Sequence, residues 1–187
     1  MTVKVKPETF TLVLFDAGRI AELAAEVAAK VGVTGDITLD VDEPSALGRA
    51  RVVGIDPVVL YVQGGAMEDP KRPRQLSERN TCEVVGRLLF RVKDRTDPAF
   101  GAVPDEDGLS LQQNTAWDAY CLGRLQRLGY EVSKPRRQYH FRTRHGFTDV
   151  ADAAFERLWT ATGLTWADIE ALIGETAAAH AAATTPA

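Results

Sequence analysis

The chain has 187 residues, 45% of them hydrophobic and 26% charged, with a formal net charge of -4; that length favours one domain with its own core, and slight acidity gives no global attraction to nucleic acid or anionic lipid. No run approaches the roughly 18 apolar residues of a membrane span, and the opening Met-Thr-Val-Lys-Val-Lys-Pro lacks the apolar centre of a signal peptide. Cys82 and Cys121 suit neither a zinc knuckle nor a disulfide framework and are expected as small buried side chains, so a cytoplasmic location is expected.

Thr9-Phe-Thr-Leu-Val-Leu-Phe15 is a β-branched and aromatic run that predicts a first strand. Asp16 then caps a helix from Ala17 to Val31, with Ile20, Leu23, Val27 and Val31 on one face and Gly32 as the stop. Asp16 ends a hydrophobic run as in haloacid-dehalogenase-like phosphatases, but Gly18 stands where their second Asp belongs, which leaves Asp16 as a cap. From Asp36 to Asp42 the alternation is strict: Ile37, Leu39 and Val41 point inward, Thr38, Asp40 and Asp42 outward. Asp40, Asp42 and Glu43 are too few, and lack the glycine turn, for a calcium loop; they read as solvated.

Two further strands are expected at Arg49 to Val53 and Pro57 to Gln63, with Pro57 at a strand start or edge. Gly64 to Arg74 reads as a long irregular connection that carries Lys71, Arg72 and Arg74; its glycine spacing fits no phosphate loop. Ser77 caps a helix to about Arg95 with Val84, Val85, Leu88, Leu89 and Val92 on its apolar band. After a linker from Thr96 to Gly108, Ser110 and Gln113 form a capping box for a helix that turns Trp117, Tyr120, Cys121, Leu125 and Leu128 inward and ends at Gly129.

Tyr130 to Ser133 and Gln138 to Arg144 read as extended, with Pro135 interrupting them. Thr148 caps a helix from Asp149 to Thr160, and Thr165 another from Trp166 to Glu175. This pair has the outline of a helix-turn-helix, but it holds six acids (Asp149, Asp152, Glu156, Asp168, Glu170, Glu175) and one base, Arg157, which argues against DNA. The expected architecture is a single α+β (mixed α/β) domain over residues 1–176: a small mixed sheet packed against about three helices, with two C-terminal helices closing one end. The Ala-rich residues 177–187 are expected as a flexible tail.

The order helix, strand, extended runs, the strand Val58-Val-Leu-Tyr-Val62, a loop, then a helix with Glu83-Val-Val-Gly-Arg-Leu-Leu-Phe90 resembles the layout of small zincin-like metallopeptidases over roughly residues 17–95. In that family the helix carries His-Glu-x-x-His, which grips zinc and activates water. Here Gly86, Arg87 and Phe90 occupy those positions, so the resemblance implies an inactive scaffold with no metal or other cofactor.

Chemistry is concentrated in Lys134 to Phe147, which holds five Lys/Arg and two of the three histidines with no acid between them. Read as a strand, it sets Gln138, His140, Arg142 and Arg144 on one face against Tyr139, Phe141 and Thr143 on the other. Arg137, His140, Arg142 and Arg144, with Lys71, Arg72 and Arg74 from the long loop, form the candidate anion-binding set. The expected function is a non-catalytic binding or regulatory protein that holds an acidic protein partner or an anionic small molecule. Two rivals stay open, an enzyme with His140 as acid/base and RNA binding through Tyr139 or Phe141, beside an internal use of the cations on the chain's own acidic helices.

Overall fold

The computed structural model describes residues 1–184 and has a mixed α+β fold. It divides into two compact units, Met1–Thr96 and Asp97–Ala187, taken here in turn.

In the first unit a four-stranded mixed sheet has the order β1 (Val3–Lys6), β2 (Ile37–Asp42), β4 (Val58–Gln63), β3 (Ala50–Ile55). The β1–β2 and β2–β4 pairs are parallel, and β3 closes antiparallel on β4. Alternation decides what each strand buries: Val5, Ile37, Leu39, Val41, Val58, Leu60 and Val62 go to the core. Pro57 falls in the β3–β4 turn, outside the ladder, where its missing N–H costs no strand pairing.

Helix α1 (Ala17–Val31) starts where the Asp16 carboxylate accepts the Arg19 N–H at 3.0 Å and stops at Gly32, whose φ is +82°. It buries Ile20, Leu23, Val27 and Val31, each contributing roughly 1.5–3 kcal/mol on leaving water. Helix α2 (Glu78–Thr96) is capped by the Ser77 hydroxyl, which accepts the Asn80 N–H at 3.2 Å. Arg19 donates to both carboxylate oxygens of Glu78, at 2.8 and 2.9 Å, and Lys93 donates to the Val31 carbonyl at 2.8 Å, so α1 and α2 are tied at both ends.

Several expectations for this unit change, among them that of a solvated Glu43. Thr9 to Phe15 is not a strand beyond one bridge between Leu14 and Gln75. The N–H groups of Thr11, Leu12 and Val13 all donate to one oxygen of Glu43, the last at 3.1 Å, which removes them from any ladder. Burial pushes the Glu43 carboxyl up, but these three donors outweigh it and hold the group below the usual carboxylate range. The connection from Gly64 to Arg74 is not irregular throughout: it makes a 3-10 turn at Gly64–Ala66 and a short hairpin, β5 (Glu68–Asp69) with β6 (Arg72–Leu76). A Cβ on Gly65 would lie 2.1 Å from the Ala46 carbonyl oxygen, so the glycine pair serves close backbone packing. Cys82 is half-buried, with its thiol pushed up by burial, whereas Cys121 is fully buried.

Among the described residues the second unit has four α-helices, α3 (Leu111–Arg127), α4 (Lys134–His145), α5 (Asp149–Thr160) and α6 (Trp166–Thr184), after a 3-10 turn at Glu106–Gly108. The capping box of α3 is complete, with Gln113 N–H on the Ser110 hydroxyl at 3.0 Å and Ser110 N–H on the Gln113 side chain at 2.8 Å. Trp117, Tyr120, Cys121 and Leu125 are buried as expected, while Leu128 caps the helix half-buried. Phe100, Trp117, Tyr120 and Trp166 form an aromatic cluster with ring centroids 5.4–6.5 Å apart. Thr148 and Thr165 cap α5 and α6 as expected. Beyond Glu175, however, α6 runs on to Thr184. Alanine is the strongest helix former, and buried Thr176 anchors this half. The remainder of the expected tail, 185–187, lies outside the described residues.

Helices α3 and α5 meet at Gly123, where an added Cβ would lie 2.0 Å from the Trp159 carbonyl oxygen. The same oxygen, with that of Ala161, accepts from the Arg127 guanidinium, which closes the C-terminus of α5. Gly123→Ala is expected to force the two helices apart and cost about 2–3 kcal/mol in urea unfolding. Gly174→Ala, at an open position of α6, should instead raise stability by up to about 1 kcal/mol. Equal effects of the two substitutions would contradict this packing.

Candidate functional site

The basic stretch is helix α4, not a strand, and this changes which side chains share a face. Pro135, read as a strand breaker, sits in the first turn, where a helix needs no N–H and φ near -65° is already right. The apparent two-residue alternation gives way to spacings of three and four, which sort the stretch into three faces.

The first face turns to α5. Arg142 donates from Nε and Nη2 to the two oxygens of Asp152, both at 2.6 Å, Gln138 adds a bond to the same carboxylate at 3.3 Å, and Lys134 meets Glu156 at 2.7 Å. The Arg142 guanidinium holds the Asp152 carboxyl below the usual carboxylate range. Arg142 is therefore internally paired.

The second face enters the core. Phe141 and His145 are 1% and 2% exposed and stack at 3.9 Å with 11° between their planes. His145 Nδ1 lies 2.9 Å from the Thr176 hydroxyl of α6, and Nε2 lies 3.1 Å from both the Gln112 carbonyl and the Thr115 hydroxyl of α3. With burial opposing its charge, its pKa is pushed down to about 4. One imidazole thus pins three helices.

The third face is exposed and carries Arg136, Tyr139, His140, Thr143 and Arg144, followed by Phe147 just past the helix end. Tyr139 and Phe147 are 59% and 65% exposed yet pack on each other edge to face, with centroids 6.1 Å apart. Among the described residues neither Arg136 nor Arg144 has an ion-pair partner. They stand two turns apart, about 12 Å along the axis, and bracket Tyr139. Sequence reasoning missed this grouping because it set Tyr139 opposite the cations; the signal was the eight-residue spacings Arg136 to Arg144 and Tyr139 to Phe147.

His140 points toward α3, at a cleft of about 40 Å³ that it lines with Arg137, Thr115, Asp118 and Ala119. That volume has room for a few waters only. Burial, then Arg137, Arg136 and Arg144 in turn, depress the His140 pKa below its ordinary value. Because Arg142 faces α5 while His140 faces the cleft, His140, Arg142 and Arg144 do not converge as an acid/base with its anion clamp. Two of the three loop cations are engaged within the first unit: Arg72 pairs with Asp69 at 2.8 Å, and Arg74 donates from Nε to the Leu12 carbonyl at 2.7 Å. Lys71 belongs to the same hairpin turn, its backbone N–H donating to Asp69 at 2.9 Å.

Gly86, Arg87 and Phe90 are all buried on α2. Among the described residues no group of three His, Cys, Asp or Glu side chains is placed to hold a metal, and no helix is long and apolar enough to cross a membrane.

The buried imidazole gives a pH dependence. The unfolded chain takes up its His145 proton near pH 6.5, the folded one only near about 4, so stability falls as pH drops through that window, by up to about 3 kcal/mol. Urea midpoints at a series of pH values should show this fall, and His145→Phe should remove the part that lies above pH 5. The same slope in wild type and variant would assign the effect to other groups.

Comparison with protein-family models, with curated proteins and with solved structures finds no match to this chain.

Proposed function

We infer that the chain is a non-catalytic binding protein whose outer α4 face docks an acidic segment of a protein partner. The observation that carries this reading is the exposed Tyr139–Phe147 pair flanked by Arg136 and Arg144, cations with no ion-pair partner among the described residues. Protein interfaces concentrate their energy in aromatic and arginine side chains, and Arg presents a planar fork to carboxylates. Large rings exposed side by side are a mark of a surface that a partner covers in use.

Charge distribution favours an acidic protein segment over nucleic acid. Residues 97–187 hold eight Lys/Arg against twelve Asp/Glu, so the cations of α4 sit in a net-negative unit. A polyanion of phosphates would meet that field at every approach beyond the helix itself, whereas a short acidic segment needs only the helix face. The 40 Å³ cleft is too small for an organic substrate, which weighs against an enzyme acting at His140.

The test is a fluorescence titration of the full chain with an aspartate-rich peptide that carries leucines, alongside polyuridine RNA. Peptide binding is expected to weaken on the order of 10–30-fold in Arg136→Glu/Arg144→Glu and in Tyr139→Ala/Phe147→Ala. Arg142→Ala, which touches the inner face, should lower the melting temperature and leave affinity within about threefold. Absence of peptide binding, or binding indifferent to the outer-face changes, overturns the reading. Tighter RNA binding with a steep salt dependence replaces it.

A further inference from the structure

We propose that docking of an acidic segment on α4 is proton-linked through His140, so that the protein holds its partner more tightly as the pH falls below neutral. The inference rests on the reading of the outer α4 face as an acidic-partner site and adds its regulation.

The geometry is a crowded cationic cluster with one titratable member. Arg137 lies one turn before His140, Arg136 and Arg144 lie four residues to either side, and all belong to the same helix. From α3, which packs against this part of α4, the groups that face the imidazole are Asp118, the sole acid among them, and the uncharged Thr115 and Ala119. In the free protein, partial burial and three guanidinium groups disfavour a further positive charge on the ring, and one carboxylate opposes them.

An acidic segment laid along Arg136 and Arg144 changes this balance. Its carboxylates neutralise the guanidinium groups that repel the imidazolium, so the bound state accepts a proton at a pH where the free state does not. By reciprocity, whatever binding does to proton affinity, protons do to binding. Binding takes up a proton, and affinity rises with acidity. Arg142 stays outside the cluster because Asp152 already neutralises it, and His145, buried in the core, takes up its own proton only near about 4.

An aspartate-rich peptide serves as the probe, because its carboxyls, with pKa about 3.9, stay ionised across the range used. Titrated against the full chain from about pH 8 to about pH 5.5 at constant salt, it is expected to bind about 5–10-fold more tightly at the acid end. His140→Gln, which keeps a hydrogen-bonding side chain but cannot ionise, should flatten the profile at the affinity seen at pH 8. Calorimetry of the wild type in buffers of different ionisation enthalpy reads proton uptake directly and does not depend on the variant folding. Equal affinity across the range, no proton uptake, or an undiminished slope in His140→Gln overturns the linkage and leaves the docking face standing. Failure of the peptide to bind at any pH overturns the docking reading and the linkage together.

Discussion

The contact on which the second unit's surface depends is the pairing of α4 with α5 through Arg142 and Asp152. A helix can rotate about its axis with little change in its backbone, so something must fix which residues face outward. Here the bidentate Arg142–Asp152 bond, seconded by Gln138 and Lys134, fixes one side, and the Phe141–His145 stack fixes the next. What remains for solvent is the strip from Arg136 to Phe147. The exposed pair of rings is a consequence of that rotation, since a turn of a quarter would bury Tyr139 and expose Phe141. Surface charge pairs of this exposure add little stability by themselves. Their value here is orientation.

In the first unit charged groups also serve the fold. The Glu43 carboxylate gathers three backbone donors, Arg19 grips Glu78, and Arg74 is held against the Leu12 carbonyl. Two of the three hairpin cations that composition marks as a binding loop are thus used locally, Arg72 on Asp69 and Arg74 on the Leu12 carbonyl. Helix α2 extends the pattern inward: Glu83, Arg87, Arg91 and Asp94 are all buried along it, at spacings of four and three. Charged residues at such spacing along a buried helix face are a sequence signal for an engaged buried stripe, because unpaired charge is not tolerated there.

Local signals were legible and distant ones were not. Asp16 with Gly32, Ser110 with Gln113, and Thr148 each act within one turn, and the structure has each helix where these residues set it. The strict alternation over Ile37 to Asp42 was equally plain, because one face is buried and the other is not. The misreadings came from partners far along the chain. Thr9 to Phe15 has strand composition, but Glu43, some thirty residues on, takes its donors. Gln138 to Arg144 has a two-residue rhythm, but Asp152 and Glu156 reward a four-residue one. The Ala-rich end looked featureless because alanine carries no pattern, although it is the residue a helix most readily includes. The concentration of charge without acid over Lys134 to Phe147 was visible in the sequence; the division into internal and external cations required the helix.

All three tryptophans, Trp117, Trp159 and Trp166, lie within the second unit and are at most 5% exposed. The chain therefore carries a built-in optical reporter for one half of itself. Intrinsic fluorescence follows loss of the aromatic cluster and of the α3–α5 contact, and is silent on the sheet, whose unit has Tyr61 as its one tyrosine. Paired with a far-ultraviolet signal, which sums over both units, it would separate their unfolding without any label.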